Sequence, residues 1–211
     1  MSTNLRGAVL RGMLVLMLLA GVGASAGCDK SDEADGAGSE EPAEEPAAEE
    51  KEYPEGYTSW TITIVDDDTY TEGDITYSIA LNLTATNPSQ SIDGTYSGTA
   101  TAQPTTSGTV QGAPLNASAI ANSSTLEFTL VDEAGTEGGL APITAEDAVY
   151  SGTGNIVMAA SGSGTVGPAG GGFSNTSGQP VEVRVQGSAV TFSVVISGHK
   201  YTFEGTLQGQ H

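Results

Sequence analysis

Residues 181–207 read VEVRVQGSAVTFSVVISGHKYTFEGTL. Apolar residues alternate with polar ones through three short runs, and Gly187-Ser188 and Gly198-His199 separate them. A period of two marks strands with one buried face. Glycine at the first central position suits a two-residue turn of type II′. Counting outward from such turns places Val181 opposite Val194, Val183 opposite Phe192 and Val185 opposite Val190. On the second hairpin the same count places Val190 opposite Leu207, Phe192 opposite Gly205, Val194 opposite Phe203 and Ile196 opposite Tyr201. A slip of one residue would turn this whole set into water. The other face carries Glu182, Arg184, Ser193, Glu204 and Thr206, so Arg184 is expected to pair with Glu182 and, diagonally, with Glu204.

The same alternation extends upstream. Trp60, Ile62 and Ile64 alternate with threonines, and Ile75, Tyr77, Ile79, Leu81 and Leu83 alternate with Thr76, Ser78, Asn82 and Thr84. Tyr96 to Ala102 and Leu126 to Leu130 repeat the pattern, with weaker strands expected over 116–121 and 150–159. No stretch holds a helical period with caps. The phrases YSGT at Tyr96 and Tyr150, and FEGT at Phe203, put glycine two residues after an aromatic, which suggests bends or close strand approaches. The glycine stretch 162–172 (GSGTVGPAGGG) lacks the ending of a phosphate loop and reads as a mobile connection. Residues 57–211 therefore predict a single all-β antiparallel domain of about eight to ten strands, an up-and-down barrel or a two-sheet sandwich. The aromatic-glycine phrases together with the closing meander give the chain a texture that resembles the small up-and-down barrels of lipocalin-like lipoproteins.

Ahead of this domain, Arg6 and Arg11 precede a short apolar run, Met13 to Ala20, and small residues lead into Cys28, the single cysteine. A basic start, an apolar stretch and small residues at the cut are the parts of an export signal. The run is shorter than the roughly 20 apolar residues that span a bilayer. Ser25-Ala26-Gly27-Cys28 resembles the lipobox of bacterial lipoproteins, with Ser25 where that family usually carries Leu. The resemblance implies cleavage before Cys28 and acylation of its thiol, with the chain held to the membrane there. Ala24-Ser25-Ala26 also fits an ordinary secretory cut, which would leave an unpaired thiol; lipidation gives that thiol a reason. Two or more acyl chains hold a protein stably where one does not. Asp29 follows the cysteine, a position that in enteric bacteria resembles an inner-membrane retention signal. The length of the segment behind it favours the outer membrane or cell surface.

That segment, residues 28–56, is rich in Ala, Glu, Asp, Pro and Gly, with twelve acidic and two basic residues between Asp29 and Glu55. It cannot bury enough apolar surface to offset its ordering entropy. Repulsion between charges expands it, and it reads as a spacer.

Composition excludes several chemistries. The formal net charge is −20, and residues 57–211 hold only Arg184 and Lys200 against fourteen acidic residues. Nucleic acid is therefore an unfavourable partner. His199 and His211 are the two histidines, one placed at a hairpin tip and one at the last position; spacing alone leaves a Ser-His-Asp set open, but a histidine at a hairpin tip reads as a surface residue. Asp66-Asp67-Asp68, Glu72 and Asp74 concentrate carboxylates between the first two strands. Asp66, Asp68, Glu72 and Asp74 are weak calcium candidates, without the spacing of an EF-hand loop. No cofactor is implied. The sequence predicts a non-enzymatic, lipid-anchored envelope protein whose β domain binds a small apolar ligand or a protein partner. The alternatives are a structural or surface-coat lipoprotein without a ligand, and then a hydrolase.

Overall fold

A computed structural model describes residues 56–133 and 149–211; the export segment, Cys28 and the acidic tether lie outside them. The described residues form β1 (Ser59–Glu72), β2 (Ile75–Asn87), β3 (Gly94–Val110), β4 (Ala113–Asp132), β5 (Val149–Val166), β6 (Ala169–Gln186), β7 (Ala189–Ile196) and β8 (His199–Gln210). Each strand pairs antiparallel with the next, and β1 pairs with β8. The result is a closed eight-stranded up-and-down barrel rather than a sandwich.

The alternation read from the sequence becomes inside and outside. Trp60, Ile62, Ile64, Leu83, Tyr96, Phe128, Val183, Phe192 and Phe203 are buried within the barrel. The outer face carries hydroxyls that pair across strands, such as Thr61 with Thr86 at 3.1 Å, Thr69 with Ser78 at 3.0 Å and Thr95 with Thr129 at 3.1 Å. A barrel built to face lipid carries an apolar outer band, and here the polar residues face out. No helix among the described residues is long and apolar enough to cross a membrane.

The meander forms with one correction to its register. The β6–β7 hairpin pairs Val181 with Val194, Val183 with Phe192 and Val185 with Val190, as expected. The β7–β8 hairpin instead pairs Val190 with Gly205, Phe192 with Phe203, Val194 with Tyr201 and Ile196 with His199. Its turn is Ser197-Gly198, one residue earlier than expected, with φ of 55° and 85°. Positive φ at both central residues is the type I′ geometry, whose twist matches that of the flanking strands. Moving a turn by one residue moves every pair by two, so the buried face is unchanged while each partner differs. Gly205 consequently makes room for β1 rather than for the Phe192 ring: a Cβ there would overlap Thr63 O and the Ile64 side chain.

The ion pairs on the outer face also differ from expectation. Arg184 lies 3.9 Å from Glu133, and Glu182 takes Lys200 at 2.5 Å across the short β7. The stretch 162–172 is no loop, because β5 and β6 run through it and meet at Gly167-Pro168. Gly167 has φ of 56°, and proline's fixed negative φ fits the second position of a II′ turn. The segments 116–121 and 126–130 belong to a single strand, β4, joined through an irregularity between Ser123 and Thr125.

The aromatic-glycine phrases mark close strand approaches. A Cβ on Gly98, Gly152 or Gly205 would overlap the backbone carbonyl of Thr84, Thr129 or Thr63 on the neighbouring strand. Glycine at these inward positions lets the sheet coil tightly enough to close.

One end of the barrel is plugged. Residues 88–93 connect β2 to β3 and fold over it, with Ile92 buried. Trp60 Nε1 donates to Gln90 O at 2.9 Å, Tyr96 OH donates to Ile92 O at 2.9 Å, and Asn87 Nδ2 donates to Ser91 O and Asp93 O. The Tyr96 and Phe128 rings stack beneath, 5.4 Å apart.

Candidate functional site at the barrel mouth

The other end carries the hairpin turns Gly73-Asp74, Gln111-Gly112, Gly167-Pro168 and Ser197-Gly198. Several inward positions leading toward it are small. On β3 they include Ala100, Ala102, Pro104 and Thr106, and β5 runs from Met158 into Ala160, Gly162 and Gly164. Small side chains cannot meet across the axis. The space left is a cavity of about 80 Å³, walled by Ile79, Leu81, Ala102, Ala121, Met158, Phe192, Val194 and Phe203 among others.

Its rim is aromatic. Tyr70 on β1 and Tyr77 on β2 are directly paired and stack at 5.8 Å. His199 stacks on Tyr70 at 3.9 Å and meets the Tyr201 ring edge-on at 4.8 Å. Beside these rings lies a second cleft of about 200 Å³, lined by Tyr70, Glu72, Tyr77, Ile196, His199 and Tyr201. Tyr77, Ile196 and Tyr201 line both spaces, so the apolar cavity and the cleft are neighbours.

The rim phenols stay protonated well into alkaline solution. Burial, then the charge of Asp68, then Tyr77 and Tyr70, push Tyr201 up to about 12. Tyr77 is raised by burial and by the Glu72 carboxylate, and Tyr70 by desolvation and by Glu72, which also accepts its hydrogen bond. These are donors at neutral pH, in a setting that penalises further negative charge.

One buried polar atom lies close to the cavity wall. Ser177, on the inward face of β6 and opposite the cavity residue Met158, is 4% exposed, and its Oγ has no hydrogen-bond partner. A buried hydroxyl without a partner costs about 1–3 kcal/mol. It lines neither the cavity nor the cleft.

The predicted calcium residues do not share one turn. Asp66 and Asp68 lie within β1, where backbone pairing with β8 stops at Ile64 and Gly205. Beyond that point Asp66 Oδ2 accepts from Glu204 N at 2.7 Å and Asp68 Oδ2 from Thr202 N at 2.9 Å. Two carboxylates thus stand in for missing strand carbonyls and hold the seam. Glu72 sits beside Tyr70, and Asp74 is in the β1–β2 turn, its carbonyl accepting from Thr109 N at 3.1 Å. Among the described residues no three His, Cys, Asp or Glu side chains converge on a metal position. His199 opens β8 rather than tipping the hairpin, and its contacts are rings; His211 stacks on Tyr57 at 4.2 Å, at the plugged end. Cys28 lies outside the described residues.

Sequence reading did not single out Tyr70, Tyr77, Tyr201 or Met158 as a site. The available signal was the set of small inward residues, Ala100 and Ala102 on β3 and Ala160 and Gly162 on β5. Neither protein-family models nor curated proteins match the chain.

Proposed function

We propose that this chain is an exported lipoprotein, anchored through Cys28 and spaced from the membrane by its acidic segment, whose barrel takes the apolar end of a small ligand at its mouth. The apolar cavity beneath the tyrosine rim carries the reading. Its size sets the scale. A cavity of about 150 Å³ holds a benzene ring, and drug-sized ligands need about 300–1,000 Å³. At about 80 Å³, this one suits the terminal methylenes of an alkyl chain, with the rest of the molecule in the adjoining cleft. The role in this reading is binding: His199 and His211 lie at opposite ends of the barrel, each against aromatic rings.

Titration of the full chain with decanol, followed through the Met158 and Ile79 methyl signals, tests the binding. Saturable shifts at these methyls, with the Trp60 indole unmoved and the response abolished by Ala102→Leu, are expected. Unmoved methyls up to the solubility limit of decanol would sink the reading. Labelled fatty acid tests the anchor, with incorporation expected in the wild type and lost in Cys28→Ser. A structural envelope role without a ligand is the second reading, favoured by the tight filling of the plugged half.

A further inference from the structure

We propose that the mouth selects its ligand by the charge of the head group and takes a cationic amphiphile, an alkylammonium with its tail in the cavity and its head at the tyrosine rim. This rests on the apolar-tail reading above and adds the chemical class. Three observations carry it.

The first is adjacency. The cleft lies next to the apolar cavity, with Tyr77, Ile196 and Tyr201 lining both, so it is the nearest place for the head of a molecule whose tail fills the cavity. The second is the chemistry of that cleft. Ring faces attract ammonium groups through their quadrupole, more strongly when water is thinned out, and three tyrosines stand there with one carboxylate, Glu72. The third is the sign of the surroundings. Asp68 on β1 holds the backbone of Thr202, next to the cleft residue Tyr201, whereas Arg184 and Lys200, the arginine and lysine among the described residues, are exposed on the outer face and paired with Glu133 and Glu182. A carboxylate or sulfate head would enter a field of its own sign. The tyrosine hydroxyls can donate to an uncharged or an anionic head alike, so the carboxylates Glu72 and Asp68 are what set the preference against an anion.

Three probes with the same tail separate the ideas: decyltrimethylammonium, decanol and decanoate, each below its micelle concentration, titrated into the full chain at pH 8 and read at the Met158 and Ile79 methyls. The expected order is decyltrimethylammonium tighter than decanol by about five- to tenfold, with decanoate weakest. Glu72→Gln, an exposed and structurally mild change, is expected to weaken the cation about threefold and leave decanol unchanged. Tyr70→Leu, which removes a ring face together with a hydroxyl, is expected to weaken the cation more than decanol. Equal affinity for the three probes, or a preference for decanoate, overturns head-group selection while leaving the apolar pocket standing. A cation preference that survives both substitutions places the head elsewhere and overturns the assignment to this rim. If none of the three binds, the apolar-ligand reading itself fails, and this inference with it.

Discussion

The plugged end and the mouth are built on the same strands and the same antiparallel ladder, yet one is solid and the other hollow. On β1 the inward column runs Trp60, Ile62, Ile64, then Asp66, Asp68 and Tyr70. Its first half packs against the core. Its second half faces a seam where backbone pairing with β8 has ended and side-chain carboxylates replace it. An eight-stranded barrel is just wide enough for side chains to fill, so whether it is filled depends on side-chain volume at each level. The ladder supplies closure, and the inward residues decide where a ligand could enter.

This contrast predicts an unequal response to truncation. Phe128→Ala at the plugged end removes a ring that is 1% exposed and stacked on Tyr96, and is expected to cost about 4 kcal/mol in urea denaturation. Met158→Ala beside the cavity should cost about 2 kcal/mol, at the low end for its type, because part of its surroundings is already empty. Equal costs would mean that the mouth is packed as densely as the plug, and the comparison would fail.

Glycine substitutions sharpen the same distinction at the level of the backbone. Gly98 lies where β3 presses on β2, and a Cβ would overlap Thr84 O and Ala85 Cα. Gly98→Ala is expected to cost about 2–3 kcal/mol, since two paired strands must separate. Gly172, on the β6 stretch near the mouth, has its nearest neighbour at 3.6 Å, an ordinary contact. Gly172→Ala should be neutral or stabilising by about 0.5 kcal/mol through the unfolded chain. A large loss at Gly172 would show that the glycine-rich hairpin is held by contacts as close as those of the waist.

These differences also explain what the sequence could and could not convey. Strands with a buried face, such as Ile75 to Leu83, are legible because alternation is a local property. So was the β6–β7 register, anchored by a turn whose glycine stands first. The β7–β8 register was missed because a serine at positive φ is uncommon, so Ser197 gave no sign of opening a I′ turn. The 162–172 hairpin was missed because Gly and Ser are depleted in strands or carry little strand signal, and here the two strands support each other. Asp66 to Asp68 looked like turn residues for the same reason. The small inward residues of β3 and β5 were the one local sign of the mouth, and they did not locate it, since its walls come from strands far apart in the chain and meet only once the barrel has closed.

Alkaline titration compares the two ends through their tyrosines. Burial raises Tyr96 far above the ordinary range for a phenol, against a lowering by its hydrogen bond with Asn87, while Tyr201 at the mouth is pushed up to about 12. A phenol raised in the folded state leaves stability intact below its unfolded value of about 10 and removes it as pH climbs toward the folded value. Stability is therefore expected to be flat to about pH 10 and to fall above it. Tyr96→Phe and Tyr201→Phe should each flatten that fall. Tyr96→Phe should also cost about 1 kcal/mol at neutral pH, because it gives up the bond to Ile92 O that holds the plug. A fall unchanged by Tyr96→Phe would mean that the plug opens before the phenol ionises.

The smallest effect belongs outside the barrel, and it tests whether the difference between the ends is confined to the interior. Arg184–Glu133 and Lys200–Glu182 both sit on the outer face, with side chains 39–67% exposed. Exposed pairs of this kind contribute about 0–1 kcal/mol, because water screens them and ordering two long side chains costs entropy. Lys200→Met and Arg184→Met are each expected to change stability by less than about 0.5 kcal/mol, and less still in 1 M salt. The domain's excess of acidic groups adds a second reason to measure both. Removing either cation deepens a negative field that is already uncompensated, so a loss that grows at low salt and is equal for the two would report overall repulsion rather than the pair itself. A loss above 1 kcal/mol for Lys200→Met alone would instead show that the bridge across the short β7 holds the mouth in shape, and the hollow end would then owe its form to the outer face as well as to small residues within.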